Sequence, residues 1–274
     1  MAAAKDWKVH HVDVKTAFLN AKMDKEMYIK LPYGAASGEA GQANRLSIAL
    51  YGTERARRLW GSELDKELKD MGAARSKVDP CLYKWCHPVH GIFYSLVYVD
   101  ELIVAAKSLA GVKAAKAYVA TKFDVRDMDE VKDIIGMTVM RDRAAKVITL
   151  SNPGHVMALL EAFGMENSTP NKTPMSSGAK LFRTGENLLP EVNRYAELVG
   201  SLLYLSTTTR PDIAFAVGVL SRYMSCPEEE HMPSAKGVLR YMRGTTRLGV
   251  VYGGDEPLHG YVDADWAGDT DGGR

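Results

Sequence analysis

A tight acidic centre, Asp100-Glu101, divides two apolar runs at residues 92–98 and 102–106. Both runs are short and rich in β-branched and aromatic residues, so they read as strands. With so few residues between them, the natural arrangement is an antiparallel hairpin carrying carboxylates in its turn. A further strand candidate lies at residues 7–18, where Val9, His11, Val12, Asp13 and Val14 alternate before the stretch becomes continuously apolar. It too carries a carboxylate, Asp13, at or near its end. Two acidic centres on neighbouring strands are therefore the feature any fold for this chain has to accommodate.

The rest of the chain supplies helices for these strands to pack on. Leu59, Trp60, Leu64 and Leu68 recur at helical spacing in the later part of 45–71, and 110–123 is rich in Ala and Lys. Residues 134–140 and 146–150 read as strands joined by a charged turn, Arg141-Asp142-Arg143. Beyond 150 the texture turns helical. Ser151 is expected to cap a helix with Pro153 in its first turn and Gly164 as its stop. After a polar connector at 165–190, helices are expected at 195–207, 213–224 and 234–243. A loop is expected around Pro32, Gly34, Ser37, Gly38 and Gly41, and a short strand at 260–262 leads into Asp263.

Composition excludes little. Hydrophobic residues make up 46% and charged residues 25% of 274, an ordinary globular balance. The net charge of +1 neither requires nor forbids a nucleic-acid partner, since a local basic cleft suffices for binding. The longest apolar run, 91–106, is broken by Asp100 and Glu101 and falls short of the roughly 20 residues of a spanning helix, so no membrane partner is expected. The first residues turn charged at Lys5 and Asp6 before any apolar segment forms, so no secretory leader is expected. Three cysteines without framework spacing agree with a reducing intracellular setting, cytoplasmic or nuclear. Cys81, Cys86, His87 and His90 raise the question of zinc, but their spacing is not that of a paired knuckle. The competing reading is a buried Cys81 followed by a polar hairpin turn at 87–91.

Carboxylates at strand ends point to a specific chemistry. Burying them unpaired is costly, and a divalent cation is one remedy. Two such ions held by shared carboxylates clamp the attacking and leaving oxygens of an in-line phosphoryl displacement. The plainer alternative is a solvated acidic turn. Phe18, read from its surroundings alone, is a core aromatic.

The motifs then carry a resemblance. DVKTAFLN at 13–20, MYIKLPYG at 27–34, ALYG at 49–52 with Trp60, DPCLY at 79–83 and YVDE at 98–101 occur in order. GSLLYLSTTTRPDIAFAVGVLSRYMSCP at 200–227, VLRYMRGT at 238–245 and GYVDADWAGD at 260–269 follow. Together they resemble the reverse transcriptases of copia-type LTR retrotransposons, collinearly over nearly the whole chain. The resemblance implies an α+β fold. An RRM-like polymerase palm would occupy 1–150, a helical thumb or connection 151–250, and the first strand of a truncated RNase H-like fold 257–274. It implies RNA-directed DNA polymerase activity with two Mg²⁺ ions, Mn²⁺ being a substitute. The implied partners are an RNA or DNA template with its primer, and deoxynucleoside triphosphates; oligomeric state is left open.

Residue by residue, Asp13, Asp100 and Glu101 match the catalytic, metal-binding carboxylates. Val14, Lys15, Thr16 and Ala17 match the backbone beside the incoming triphosphate, and Phe18 matches the gate against a ribose 2′-hydroxyl. Arg55, Arg57, Arg58, Arg141 and Arg143 are the candidate phosphate contacts, a solvated charged turn being the alternative for the last two. Asp263 matches the first RNase H carboxylate. Two departures stand out. Arg55 replaces the family's glutamine, and Glu101 replaces its second turn aspartate, adding a methylene. Relative to the family, the fingers region and the remaining RNase H carboxylates are expected to be missing. The rival reading is a catalytically inactive retroelement relic that at most binds nucleic acid.

Overall fold

The structure, a computed structural model, describes residues 1–30, 43–176, 181–254, 260 and 262. It is mixed α and β and falls into two compact units, Met1–Ile134 and Ile135–Arg274. The expected glycine- and proline-rich loop at 32–41 and Asp263 lie outside the described residues.

The first unit contains β1 (Lys8–Val14), β2 (Tyr28–Lys30), β3 (Ala43–Arg45), α1 (Ala56–Asp70), β4 (Ala74–Arg75), β5 (Leu82–His87), β6 (Gly91–Tyr98), β7 (Glu101–Ala106), α2 (Leu109–Ala120), β8 (Val125–Glu130) and β9 (Asp133–Ile134). Six of these strands form a sheet in the order β4-β5-β6-β7-β1-β8. The central ladders are antiparallel, with β1 running between β7 and β8. Val12 and Val14 of β1 and Leu102, Val104 and Ala106 of β7 enter a core shared with Trp60, Leu64 and Leu68 of α1 and Val112, Ala115 and Val119 of α2. Alternation in β1 and β7 thus leaves Asp13 and Glu101 on the other side of the sheet from that core. Ser108 caps α2 by accepting from the Gly111 N–H.

Two expectations need correction here. The hairpin turn is Val99-Asp100, and Glu101 is already the first residue of β7, opposite Tyr98. A two-residue turn matches the strands' twist better than a longer acidic loop. Cys81 is exposed, because it precedes β5 beside an Asp79 side chain that accepts its backbone N–H. The hairpin at 87–91 does form, its His87 Nδ1 accepting the backbone N–H groups of Val89 and His90.

The second unit holds β10 (Met137–Asp142), β11 (Val147–Ser151), α3 (Pro153–Ala162), α4 (Val192–Thr208), α5 (Ala214–Ser221), α6 (His231–Gly244) and β12 (Gly249–Gly253). β11 pairs antiparallel with both β10 and β12. Arg141 is a strand residue, not part of the turn, and Ser151 ends β11, leaving Asn152 at the position before α3. The helices close on Leu160, Leu198, Leu202, Leu205, Ile213, Leu220, Val238 and Leu239. Arg210 is buried in this unit at 1% exposure. Its guanidinium is satisfied bidentately by Asp212 (2.9 and 2.8 Å) and by the Thr245 carbonyl and hydroxyl (3.0 and 2.7 Å).

Candidate active site

The acidic centres meet through the register of one ladder. Asp13 of β1 lies directly opposite Glu101 of β7. One residue further, the Val14 N–H donates to the Asp100 carbonyl at 2.8 Å, so the hairpin tip is tied to the end of β1. Opposed residues of an antiparallel pair project from the same face, which puts the Asp13 and Glu101 carboxylates together. His11, two residues before Asp13, shares that face; its Nε2 stands 4.0 Å from Glu101 Oε1. Glu101 Oε2 is buried and has no hydrogen-bond partner among the described residues. A carboxylate oxygen in that condition is an acceptor awaiting a donor or a cation. Carboxylate oxygens suit a hard divalent ion, so Asp13, Asp100 and Glu101 fit Mg²⁺, with the His11 nitrogen beside them. The three carboxylates have not drawn into one tight cluster. Among the described residues, the trio whose potential ligand atoms all lie within 4.8 Å is His10, Asp127 and Asp129 instead. There Lys116 Nζ already sits 3.0 Å from His10 Nδ1 and pairs with Asp127. Burial, then the Lys116 charge, lowers the His10 pKa.

The hairpin tip is held from behind by a residue that site reasoning had overlooked. Val99 adopts φ 55°, a left-handed conformation costly for a β-branched side chain. The Trp60 indole N–H donates to the Val99 carbonyl at 2.7 Å and pins that turn to α1. Trp60 itself is buried and meets Phe123 edge-on at 5.2 Å between centroids. Its place in the ALYG-to-DPCLY motif order was visible in the sequence; the bond to the turn was not.

After β1 the chain turns sharply. Thr16 lies at φ 47°, ψ 44°, ahead of a 3-10 helix, Ala17–Asn20. The turn is fixed at its start by Lys15, whose N–H donates to the Asp124 carbonyl and whose ammonium stands 3.0 Å from the Asp124 carboxylate. Ala17 is fully buried, and Phe18 is half-buried, its ring 4.7 Å from that of Tyr51. The arginines of α1 and its approach divide. Arg55 holds Asp24 bidentately at 3.0 and 2.7 Å, and Arg58 pairs with the same carboxylate. Hydrogen bonding to Arg55 keeps the Asp24 carboxyl far below the usual range. Among the described residues Arg57 has no such partner. Arg141 and Arg143 belong to the second unit.

Comparison with known proteins decides what this arrangement belongs to. The family model described as reverse transcriptase (RNA-dependent DNA polymerase) matches residues 1–177, a stretch containing both acidic centres. The chain belongs to the reverse transcriptase family. Its relatives are copia-type Pol polyproteins of plant and yeast transposons. It is 35% identical to the retrovirus-related Pol polyprotein from transposon TNT 1-94 of Nicotiana tabacum, over 99% of this chain and 21% of that protein. It is 33% identical to the corresponding polyprotein from transposon RE2 of Arabidopsis thaliana, over 99% of this chain and 18% of the relative. A transposon Ty5-1 protein of Saccharomyces cerevisiae is 31% identical over 92% of this chain and 82% of its own length. The chain thus spans about a fifth of the length of the plant polyproteins it matches. Among the described residues of this reverse transcriptase chain, no helix is long and apolar enough to cross a membrane.

Proposed function

We propose that this chain carries the palm and thumb of a retrotransposon polymerase and adds deoxynucleotides to a primer on an RNA or DNA template. The observation that supports this reading most is the β1–β7 register. It sets Asp13 against Glu101 and ties Asp100 to the end of β1. Asp13, Asp100 and Glu101 would hold two Mg²⁺ ions, Mn²⁺ being a substitute. The bound ions would stabilise charge on the attacking and leaving oxygens. The chain's own residues position. The sharp turn at Thr16 presents the backbone of 14–17 toward the triphosphate, and Phe18, braced by Tyr51, crowds a 2′-hydroxyl. Arg57 would contact phosphate, and Arg141 and Arg143 of the second unit, which also have partners within the chain, would do so independently; such contacts weaken steeply with salt. The strand-like segment leading to Asp263 is assigned to the start of an RNase H-like fold.

Primer extension with Mg²⁺ and with Mn²⁺ tests the reading. The unmodified chain is expected to extend a primer, and Asp13→Asn and Asp100→Asn each to lose about a hundredfold or more. Extension that survives both substitutions would remove the assignment. A second reading, a relic that binds nucleic acid without catalysis, is favoured by one specific observation. Arg55, standing where the family has glutamine, is committed to Asp24, which competes with any contact to a nucleotide. Salt-sensitive binding of a hybrid duplex without any extension is the outcome that reading requires.

A further inference from the structure

Behind the hairpin tip, within the first unit, lies a cavity of about 270 Å³. One stripe of α1 forms its floor: Arg57, Trp60, Gly61 and Leu64, at helical positions i, i+3, i+4 and i+7. The opposite wall comes from Tyr83, and from Tyr98 and Val99 at the hairpin end. Gly61 is the unusual member. A glycine inside a helix costs roughly 0.5–1 kcal/mol relative to alanine, and a Cβ added there meets nothing within 4 Å. No packing contact requires the glycine, so the sequence keeps an opening where a side chain would fit.

The chemistry of the walls says what would fill it. The polar ends of the two innermost aromatics are already used. Trp60 donates to the Val99 carbonyl, and the Tyr83 hydroxyl donates to Asp65 at 2.7 Å. They therefore offer ring surface to the cavity. Of the two guanidiniums at the rim, Arg75 is occupied, donating to the Pro80 carbonyl at 2.6 Å with Asp65 3.7 Å away. Arg57 makes no hydrogen bond or ion pair among the described residues. What remains is an aromatic slot with one uncommitted cation at its mouth.

We infer that this cavity is a binding site for a small aryl carboxylic acid, its ring between Trp60 and Tyr83 and its carboxylate on Arg57. The volume sits near the lower end of ligand pockets, which fits one or two fused rings. An arginine fork matches a carboxylate bidentately. This inference uses none of the carboxylates of the polymerase site but shares Arg57 with the proposed phosphate contacts, so an acid in the slot and a nucleic-acid phosphate would compete for that guanidinium.

The probes are indole-3-acetate and 2-naphthoate, each beside its neutral carboxamide, titrated calorimetrically into the full chain. Saturable binding of the acids is expected, with the carboxamides about tenfold weaker. Arg57→Gln should erase that preference, and Gly61→Leu, which fills the slot, should abolish binding. Cys81 provides a readout that needs no variant, because it lines the cavity while Cys86, also exposed, does not. Alkylation followed by mass spectrometry should show Cys81 protected by the acid and Cys86 unaffected. Absent or non-saturable binding, equal binding of acid and carboxamide, or equal alkylation of both cysteines with the acid present would overturn the proposal. So would undiminished binding to a folded Gly61→Leu chain.

Discussion

At the scale of the residue, the hairpin of the candidate site depends on a side chain that touches no carboxylate. The strained Val99 carbonyl accepts from Trp60, and removing that donor leaves a part-buried acceptor unsatisfied. Trp60→Phe should destabilise the first unit by about 1–3 kcal/mol in urea unfolding. An unchanged midpoint and slope would show that the turn holds itself. His231 shows the same dependence on a single buried atom. It is fully buried, its Nδ1 accepts the Glu228 N–H at 2.7 Å, and its ring stacks on Tyr223 at 4.0 Å. Burial lowers its pKa, although the charges of Glu230 and Glu228 oppose the shift. The folded chain therefore favours the neutral ring, while the unfolded chain protonates with the ordinary value near 6.5. Stability from this residue is complete above that pH and is lost as the pH falls through it. Thermal melts between about pH 7 and 5 should show this decline, and it should shrink in His231→Phe. A slope identical in both proteins would assign the acid sensitivity to other groups.

At the scale of the element, what the sequence made legible was whatever announced itself by alternation or helical spacing. The strands of the hairpin and the apolar stripe of α1 were readable because burial on one face forces a period into the residue types. β8 was missed for the converse reason: VRDMDE has almost no buried side chain and pairs with β1 through its backbone. β12 was missed because its first residue is a glycine, ordinarily a sign of a turn. Here the glycine is required by proximity. A Cβ on Gly249 would fall 2.1 Å from the Leu150 carbonyl oxygen, closer than any real contact. Gly249→Ala should therefore separate β12 from β11, costing about 3 kcal/mol or more by analogy with overpacked cores. Hydrogen exchange at 249–253 should accelerate; protection equal to the unmodified chain would contradict the close approach. Among the candidate site residues, the pairing of Asp13 with Glu101 was foreshadowed by their strands. The capture of Arg55 and Arg58 by Asp24 was not, because nothing local in sequence links residue 24 to residues 55 and 58.

At the scale of the whole molecule, the first unit has an unusual internal order. Its first strand, β1, lies between β7 and β8, and the register joins Lys8 to Ala106 and Val14 to Val125. The neighbouring β5, β6 and β7, by contrast, join consecutively through short hairpins. Closing a long loop must precede any reward from its contacts, so local hairpins form ahead of distant pairings. Pulse-labelled hydrogen exchange during refolding should find amides of β5–β7 protected before those of β1. Simultaneous protection would indicate a single concerted closure. On a ribosome the same order has a temporal meaning. Asp13 emerges before Asp100 and waits through the synthesis of nearly ninety further residues before Asp100 exists to stand beside it. Once β7 has been made, and until β1 docks on it, the meander's β7 edge is open to any strand that can pair with it, including β1 of another nascent copy. The residue that begins the site is the one whose partner arrives last, and an unfinished chain therefore has no site at all.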